Sequence, residues 1–465
     1  MRVFSTVVVF LVMAAPAAGA EEGRLGGGER HEQKIVLRAG ELLALEAVQD
    51  GIDLVLAVDG PGGVHAEIDS PTGTSGSESL RFVASRAGEH TISVHALEAD
   101  APPGRYTLRL VERRKANARD KRIFEAQTLL GRAWALRQEL RQAEAMPLAE
   151  RALALHMKTY GPLARETLEA LSLRGYLRDE VGDYAGGEKD FARVLAASQK
   201  TFGPEARETQ TARSNLAFLN LMGGDYVEAK RLFDETIAVR ERTGGRTDDA
   251  LQGLGDLYLE LGDLEKAEDH YRRALALREA GAGGLLEAAR GSIGVVLVER
   301  GQLDEGETMC DAAARALAPR RGFAQHSASS ARQCVAEARL RRGDAADALT
   351  RFTEVRDART RLLGPSHPFV ARALVSVGRA ALAAGDHAGA REALERAVVI
   401  FDKTWRHPHP TLGAALVALA AVEAAAGTAA AERKLLERAV RIFEAAAPAR
   451  RELREARERL QTLGS

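Results

Sequence analysis

Two cysteines in 465 residues are too few for a disulfide framework, and aromatic residues make up only 5% of the chain. Neither sign of charge prevails. Lys and Arg number 65 against 66 Asp and Glu, a formal net charge of -1, which gives no reason to expect nucleic acid or an anionic membrane as the main partner. Disorder is excluded as well, since 45% apolar residues can supply a core and charged residues stop at 28%. Catalytic signatures are missing: there is no Walker-type glycine-rich phosphate loop, no Gly-x-Ser-x-Gly elbow and no His-Glu-x-x-His pair. Nothing in the sequence asks for a cofactor or a metal. What abounds is Ala, Leu and Arg, a composition suited to helices packed through small residues.

The N-terminus is organised as an export signal. Arg2 supplies a short positive region, Val7 to Ala15 an apolar run, and Ala18-Gly19-Ala20 a small-residue cleavage site. The run is too short for a comfortable membrane span, so no span is expected after cleavage, and no cysteine lies nearby to carry a lipid. Residues 1–20 are accordingly expected to be removed, placing the protein outside the cytoplasm, in the periplasm or beyond it. Residues 21–33, with the glycines from Gly23 to Gly28, are expected to form a flexible leader.

Between residues 34 and 112 the period is two. Ile52, Leu54, Leu56 and Val58 alternate with polar or small residues, as do Val64, Ala66 and Ile68, then Ile92, Val94 and Ala96, then Tyr106, Leu108 and Leu110. Turn clusters such as Asp59-Gly60-Pro61-Gly62-Gly63 and Pro102-Pro103-Gly104 separate the runs, and about seven short strands imply a small β-sandwich. Asp53, Asp59 and Asp69 sit at or near turns at spacings that match no calcium loop. The order of phrases LRAGELLAL, DLVLAVDGPGG, SRAGEHTISVHALE and PPGRYTLRL resembles the bacterial pre-peptidase C-terminal domain. That resemblance implies a non-catalytic module of secreted proteins. Residues 113–121, rich in Arg and Lys but interrupted by Asp120, are expected to be a solvated linker that opens a helix.

From residue 122 onward the period is helical. In Leu251 to Leu277, Leu254-Gly255 and Tyr258 precede a turn at Gly262-Asp263, and Ala267, Tyr271 and Ala274 follow it. Small and large apolar residues at helical spacing on both sides of the turn define two short antiparallel helices in close contact. Equivalent turns stand at Gly182, Gly224, Gly262, Gly301, Gly343, Gly385 and Gly427, separated by 42, 38, 39, 42, 42 and 42 residues. An earlier copy keeps the register with Leu140 in the glycine position. Between copies lie Tyr160-Gly161-Pro162, Phe202-Gly203-Pro204, Gly364-Pro365-Ser366-His367-Pro368 and Arg406-His407-Pro408-His409-Pro410, which end one helix and delay the next. The order Leu-Gly, Tyr, Ala, Tyr, Ala resembles the tetratricopeptide repeat (TPR). The 42-residue period with its Gly-Pro-x-His-Pro connector is similar to the kinesin light chain subtype. The resemblance implies a mainly α fold, a right-handed solenoid of about eight repeats over residues 122–448 behind an all-β sandwich. A final helix at 449–465, with Leu453, Ala456, Leu460 and Leu463 on one face, is expected to cap it.

The same resemblance implies a non-catalytic scaffold that binds a protein or peptide in a concave groove lined by the first helix of each pair. Six residues before each turn this face carries Trp134, Tyr176 and Phe218, then Asp256, Val295, Glu337, Arg379 and Ala421. Asn215 lies on the same helix as Phe218 and belongs to the expected site. Either the three rings form an aromatic anchor stripe for a ligand, or each packs against the next helix. His407 and His409 flank a proline and fall on a connector, where His367 occupies the place of His409, so a connector role outweighs metal binding. Cys310 and Cys334 lie twelve residues on either side of Gly322, on neighbouring helices. Their registers argue against a bond: Cys310 takes the buried aromatic slot of Tyr271, whereas Cys334 takes the slot of Asn215, Ser292 and Ser376, expected to face the groove. Two other readings stand beside the scaffold. Modules of both kinds precede caspase-like CHAT protease domains in bacteria, for which the chain to Ser465 leaves no room, and the sandwich alone could bind carbohydrate. The oligomeric state is left open.

Overall fold

The computed structural model describes residues 20–68, 74–282, 286–320 and 324–464. The expected signal segment up to Gly19, and Asp69, lie outside the described residues. The chain divides into two compact units, residues 1–132 with 151–161, and residues 133–150 with 162–465.

The first unit contains two four-stranded antiparallel sheets formed by β1 (Ala20–Leu25), β2 (Arg30–Leu37), β3 (Glu41–Asp50), β4 (Leu54–Gly60), β5 (Val64–Ile68), β6 (Ser75–Val83), β7 (Gly88–Ala96) and β8 (Gly104–Lys115). Their orders are β1-β8-β3-β6 and β2-β7-β4-β5. Alternate residues of both sheets meet in one core that includes Leu43 and Leu45 of β3, Leu54, Leu56 and Val58 of β4, Phe82 of β6, Ile92 and Val94 of β7, and Tyr106 and Leu108 of β8. This is the period-two pattern turned inward.

Two segments differ from expectation. The leader is a strand: Ala20 to Leu25 pair with Arg109 to Gly104 of β8, and Leu25 is fully buried. Its glycines are there for contact, since Gly23 lies against the Tyr106 ring, where a Cβ would come within 2.5 Å. Nor is 113–121 a solvated linker. β8 runs to Lys115, and the first helix starts at Ala118 with Asn117 as its cap, Oδ1 accepting from the amides of Arg119 and Asp120. Asp120 returns the bond to the Asn117 amide at 2.9 Å and accepts from Arg114 at 2.6 Å and Arg81 at 3.1 Å, an arrangement that holds its carboxyl down at about 2.

Seventeen helices follow among the described residues. They pair as α1 (Ala118–Gln138) with α2 (Gln142–Tyr160), α3 (Arg165–Glu180) with α4 (Tyr184–Phe202), α5 (Arg207–Gly223) with α6 (Tyr226–Thr243), and α7 (Asp248–Leu261) with α8 (Leu264–Leu277). The later pairs are α9 (Leu286–Glu299) with α10 (Leu303–Leu317), α11 (Ala324–Arg341) with α12 (Ala345–Leu363), α13 (Pro368–Ala383) with α14 (His387–Thr404), and α15 (Pro410–Ala425) with α16 (Ala429–Ala446). A last helix, α17 (Arg451–Gly464), packs Leu453 and Ala456 against the eighth pair.

The Gly-Asp turns do two jobs. Each turn glycine takes a left-handed φ of 73 to 91° that closes the first helix, and the aspartate after it caps the second. Asp183, Asp225, Asp263, Asp344 and Asp386 each accept from the amide three residues on. Leu140 adopts the same left-handed conformation, φ 61°, without glycine's freedom. Inside several pairs a glycine on the first helix receives a large residue from the second. Gly175 lies under Phe191 and Gly378 under Leu394, where an added Cβ would come within 2.7 and 2.5 Å.

Cys310 and Cys334 are joined by a disulfide, with Cα atoms 6.1 Å apart. The expectation that Cys334 faces the groove was wrong. Its slot looks back at the preceding pair: Gly253, in the same slot, sits against Phe233 of α6, and Ser376 accepts from Gln333 of α11 at 3.2 Å. Both sulfurs are therefore buried between α10 and α11.

Candidate functional site

The aromatic members of the predicted column sit on the first helices of consecutive repeats. Trp134 of α1 and Tyr176 of α3 are half-buried, with ring centroids 6.0 Å apart. Arg137, one turn beyond Trp134, holds its guanidinium carbon 5.2 Å from the indole centroid and 4.7 Å from the phenol centroid. It is kept there by a 2.8 Å bond to Glu180. Asn215 of α5 donates to the Tyr176 hydroxyl at 2.6 Å, so Trp134, Arg137, Tyr176 and Asn215 form one continuous surface across three repeats. Phe218 is also half-buried. Packing accounts for one side of each ring. Trp134 and Tyr176 touch across neighbouring first helices, but Tyr176 and Phe218 rest edge-on against Phe191 and Phe233 of their own second helices, each at 5.0 Å. Their other sides stay partly open to solvent.

The polar members are bound within the fold. Asp256 of α7 accepts from the Tyr271 hydroxyl at 2.7 Å and from Gln252 at 3.3 Å, and burial raises its carboxyl to about 6. Glu337 of α11 is almost wholly buried and accepts twice from Arg379 of α13, at 3.0 Å each, and once from Arg341 at 3.0 Å. Burial alone would raise its pKa, but the two guanidinium groups hold it below the usual carboxylate range. Arg341 continues to Glu299 at 2.5 Å. The chain Glu299–Arg341–Glu337–Arg379 thus ties the fifth to seventh repeats together. Its charged groups are spent on one another.

A second set of residues was missed from the sequence. Repeats far apart in the chain touch along a seam inside the second unit. Glu260 of α7 accepts from Arg372 of α13 at 2.5 Å and from the Thr411 hydroxyl of α15 at 3.2 Å. The indole N–H of Trp405 donates to the Met222 carbonyl at 2.9 Å, and Arg450 donates to the Leu259 carbonyl at 3.4 Å. His409 stacks on Trp405 at 3.6 Å with its edge region against Tyr226 of α6. Burial alone would raise Glu260, but the charges of Arg372 and Arg450 bring it down to about 2; burial pushes His409 down to about 3, so its ring is neutral. His367 and His409 cap α13 and α15, each Nδ1 accepting from the amide two residues on. His409 is buried while His407 is exposed, so the two rings do not converge. Among the described residues no group of three or more His, Cys, Asp or Glu could hold a metal ion, and no helix is long and apolar enough to cross a membrane. The paired histidine-proline connectors were the available signal for the seam.

The helical array is a run of tetratricopeptide repeats. Models described as tetratricopeptide repeat match residues 166–242, 208–280 and 326–403, and a second model of that description matches 253–320. The chain belongs to the tetratricopeptide-repeat proteins. Among solved structures it is similar to a Rap protein complexed with Competence and Sporulation Factor, at 12% identity over 73% of this chain and 98% of that one, TM-score 0.44. It is also similar to BtubC (BKLC) from P. vanneervenii, at 17% identity over 71% and 92%, TM-score 0.24. A third, the periplasmic lysozyme inhibitor PliG of Aeromonas hydrophila, shares 15% identity over 23% of this chain and 97% of that one, TM-score 0.19. No curated protein matches the sequence.

Proposed function

We propose that the protein is an exported, non-catalytic scaffold that binds a protein or peptide on the wall formed by the first helices of repeats one to three. The observation that carries this is the continuous surface of Trp134, Arg137, Tyr176 and Asn215, with Phe218 beyond it. Rigid rings partly open on a helical wall supply contact area at small entropic cost, which is how interface hot spots work. The sandwich, similar in its phrases to pre-peptidase C-terminal modules, accompanies the array as a secreted accessory domain.

The test uses two quantities on the same variants. Tyr176→Ala and Phe218→Ala are each expected to weaken binding of a partner captured from envelope extracts by about 1 to 4 kcal/mol. Their loss of folding stability should stay below the about 3 to 5 kcal/mol of a fully buried ring, because one side of each ring meets solvent. Unchanged affinity, or destabilisation of the full core size, places the binding surface elsewhere.

Export is supported by the signal-like N-terminus and by the disulfide, which persists in oxidising compartments. N-terminal mapping of the protein recovered from its host is expected to give Glu21 as the first residue. Recovery of Met1 or Arg2 instead would mean that the segment is retained.

A further inference from the structure

We propose that the seam is a releasable clasp which closes the array over its own binding wall, so that admission of a partner requires the clasp to open. The inference rests on the groove reading above and adds its regulation. In a solenoid each repeat contacts its neighbours, and stability sums over those interfaces. Here three consecutive turns meet the chain five repeats further on. Gly182, in repeat two, lies against Pro368 at the start of repeat seven. Gly224, in repeat three, lies against His407 and His409 at the start of repeat eight. Gly262, in repeat four, lies against Arg450 just before α17. A Cβ would come within 2.7 Å of Pro368 at Gly182 and within 2.9 Å of Arg450 at Gly262, whereas at Gly301, Gly343, Gly385 and Gly427 it would meet nothing within 4 Å. A step of five repeated three times is a built register.

The chemistry of the seam differs from that of the interfaces between neighbours. Neighbouring repeats are joined by buried Phe, Leu and Ala. The seam is one carboxylate shared by Arg372 and Thr411, two donors to main-chain carbonyls, and one edge contact between the rings of His409 and Tyr226. Water can satisfy most of these groups once they part, so opening costs less than unfolding any repeat. The seam also lies beside the wall. Met222 and Glu260 stand four residues after Phe218 and Asp256, one turn along the same faces of α5 and α7. Closure therefore covers the edge of the column, and opening uncovers it. A binding-competent state that is only partly populated lowers apparent affinity by its fraction, and whatever releases the clasp raises affinity in return.

The experiment needs no ligand. Hydrogen exchange of the full chain is followed by mass spectrometry for Glu260→Arg, Arg372→Glu and the double exchange, with carbodiimide labelling of Asp256 as a probe of the wall. Each single reversal is expected to speed exchange at least tenfold in peptides covering 222–228 and 402–412. Asp256 labelling should rise severalfold, while the buried segments around Phe352 and Phe82 keep their protection. The double variant should return both readouts toward the parent. Trp405→Phe, which keeps the stack and removes only the indole donor, should give a smaller effect in the same peptides. If the single reversals leave the seam peptides unchanged, the contacts hold nothing closed. Should all helices lose protection together, the seam is a structural staple and the proposal fails. Because these readouts involve no partner, they stand or fall separately from the Tyr176 and Phe218 binding test, whose failure would remove the groove reading alone.

Discussion

Truncation of Phe233 to alanine is expected to cost about 3 to 5 kcal/mol, the range for deleting a fully buried ring. The ring fills the space between repeats three and four: it meets Phe218 edge-on at 5.0 Å and occupies the ground where a Cβ on Gly253 would stand. The consequence is a coupled pair. Gly253→Ala alone forces a methyl group into the ring and should destabilise by about 1 to 3 kcal/mol. In the Phe233→Ala background the same methyl enters an emptied space and should be neutral or stabilising. Denaturant titration of the four proteins, with exchange protection of α5 to α7 as a local readout, measures the coupling. Additive losses would mean that the two residues do not share this space.

The second large effect belongs to the disulfide. Cys310 and Cys334 close a loop with a sequence separation of 24, for which the chain-entropy model gives about 3 to 4 kcal/mol of stabilisation. The double serine variant should lose that amount, and the parent protein fully reduced in denaturant should refold to the same lowered stability. Both sulfurs are buried, so reductant added to the folded protein is expected to act slowly. A thiol assay on denatured, unreduced protein that finds two free thiols per chain would remove the bond and the prediction with it.

The repeats were legible because their signals are local and redundant. A glycine in left-handed conformation, an aspartate cap directly after it, and a small-large pair such as Gly175 and Phe191 recur at one register. That register identified even the copy in which Leu140 replaces glycine. The strands of the sandwich were legible through alternation, but β1 was not, since AEEGRL has a single strong apolar anchor, Leu25, and no alternation to detect. The knot of Arg81, Arg114 and Asp120 was hidden because a basic run reads alike whether solvated or paired. At the site, the aromatic column came from register alone, whereas the internal bonding of Asp256 and Glu337 depends on partners 15 and 42 residues away. Cys334 was misplaced by judging its slot from polar occupants. Asn215, Ser292 and Ser376 are polar, yet each bonds to the preceding repeat's first helix, so polarity there signals a contact between repeats. The seam was invisible because a repeat pattern reports neighbours only.

The seam also bears on how the chain assembles. Its bonds span 112, 151, 183 and 191 residues, in a molecule whose main helix contacts otherwise stay within a repeat or join neighbouring repeats. Closing loops of that length before the intervening repeats exist would lose more chain entropy than a few polar bonds return. The repeats must therefore condense first by local steps, with the seam absent from the rate-limiting barrier. Changes at Glu260 or Trp405 then alter the lifetime of the closed seam and leave the speed of array formation untouched.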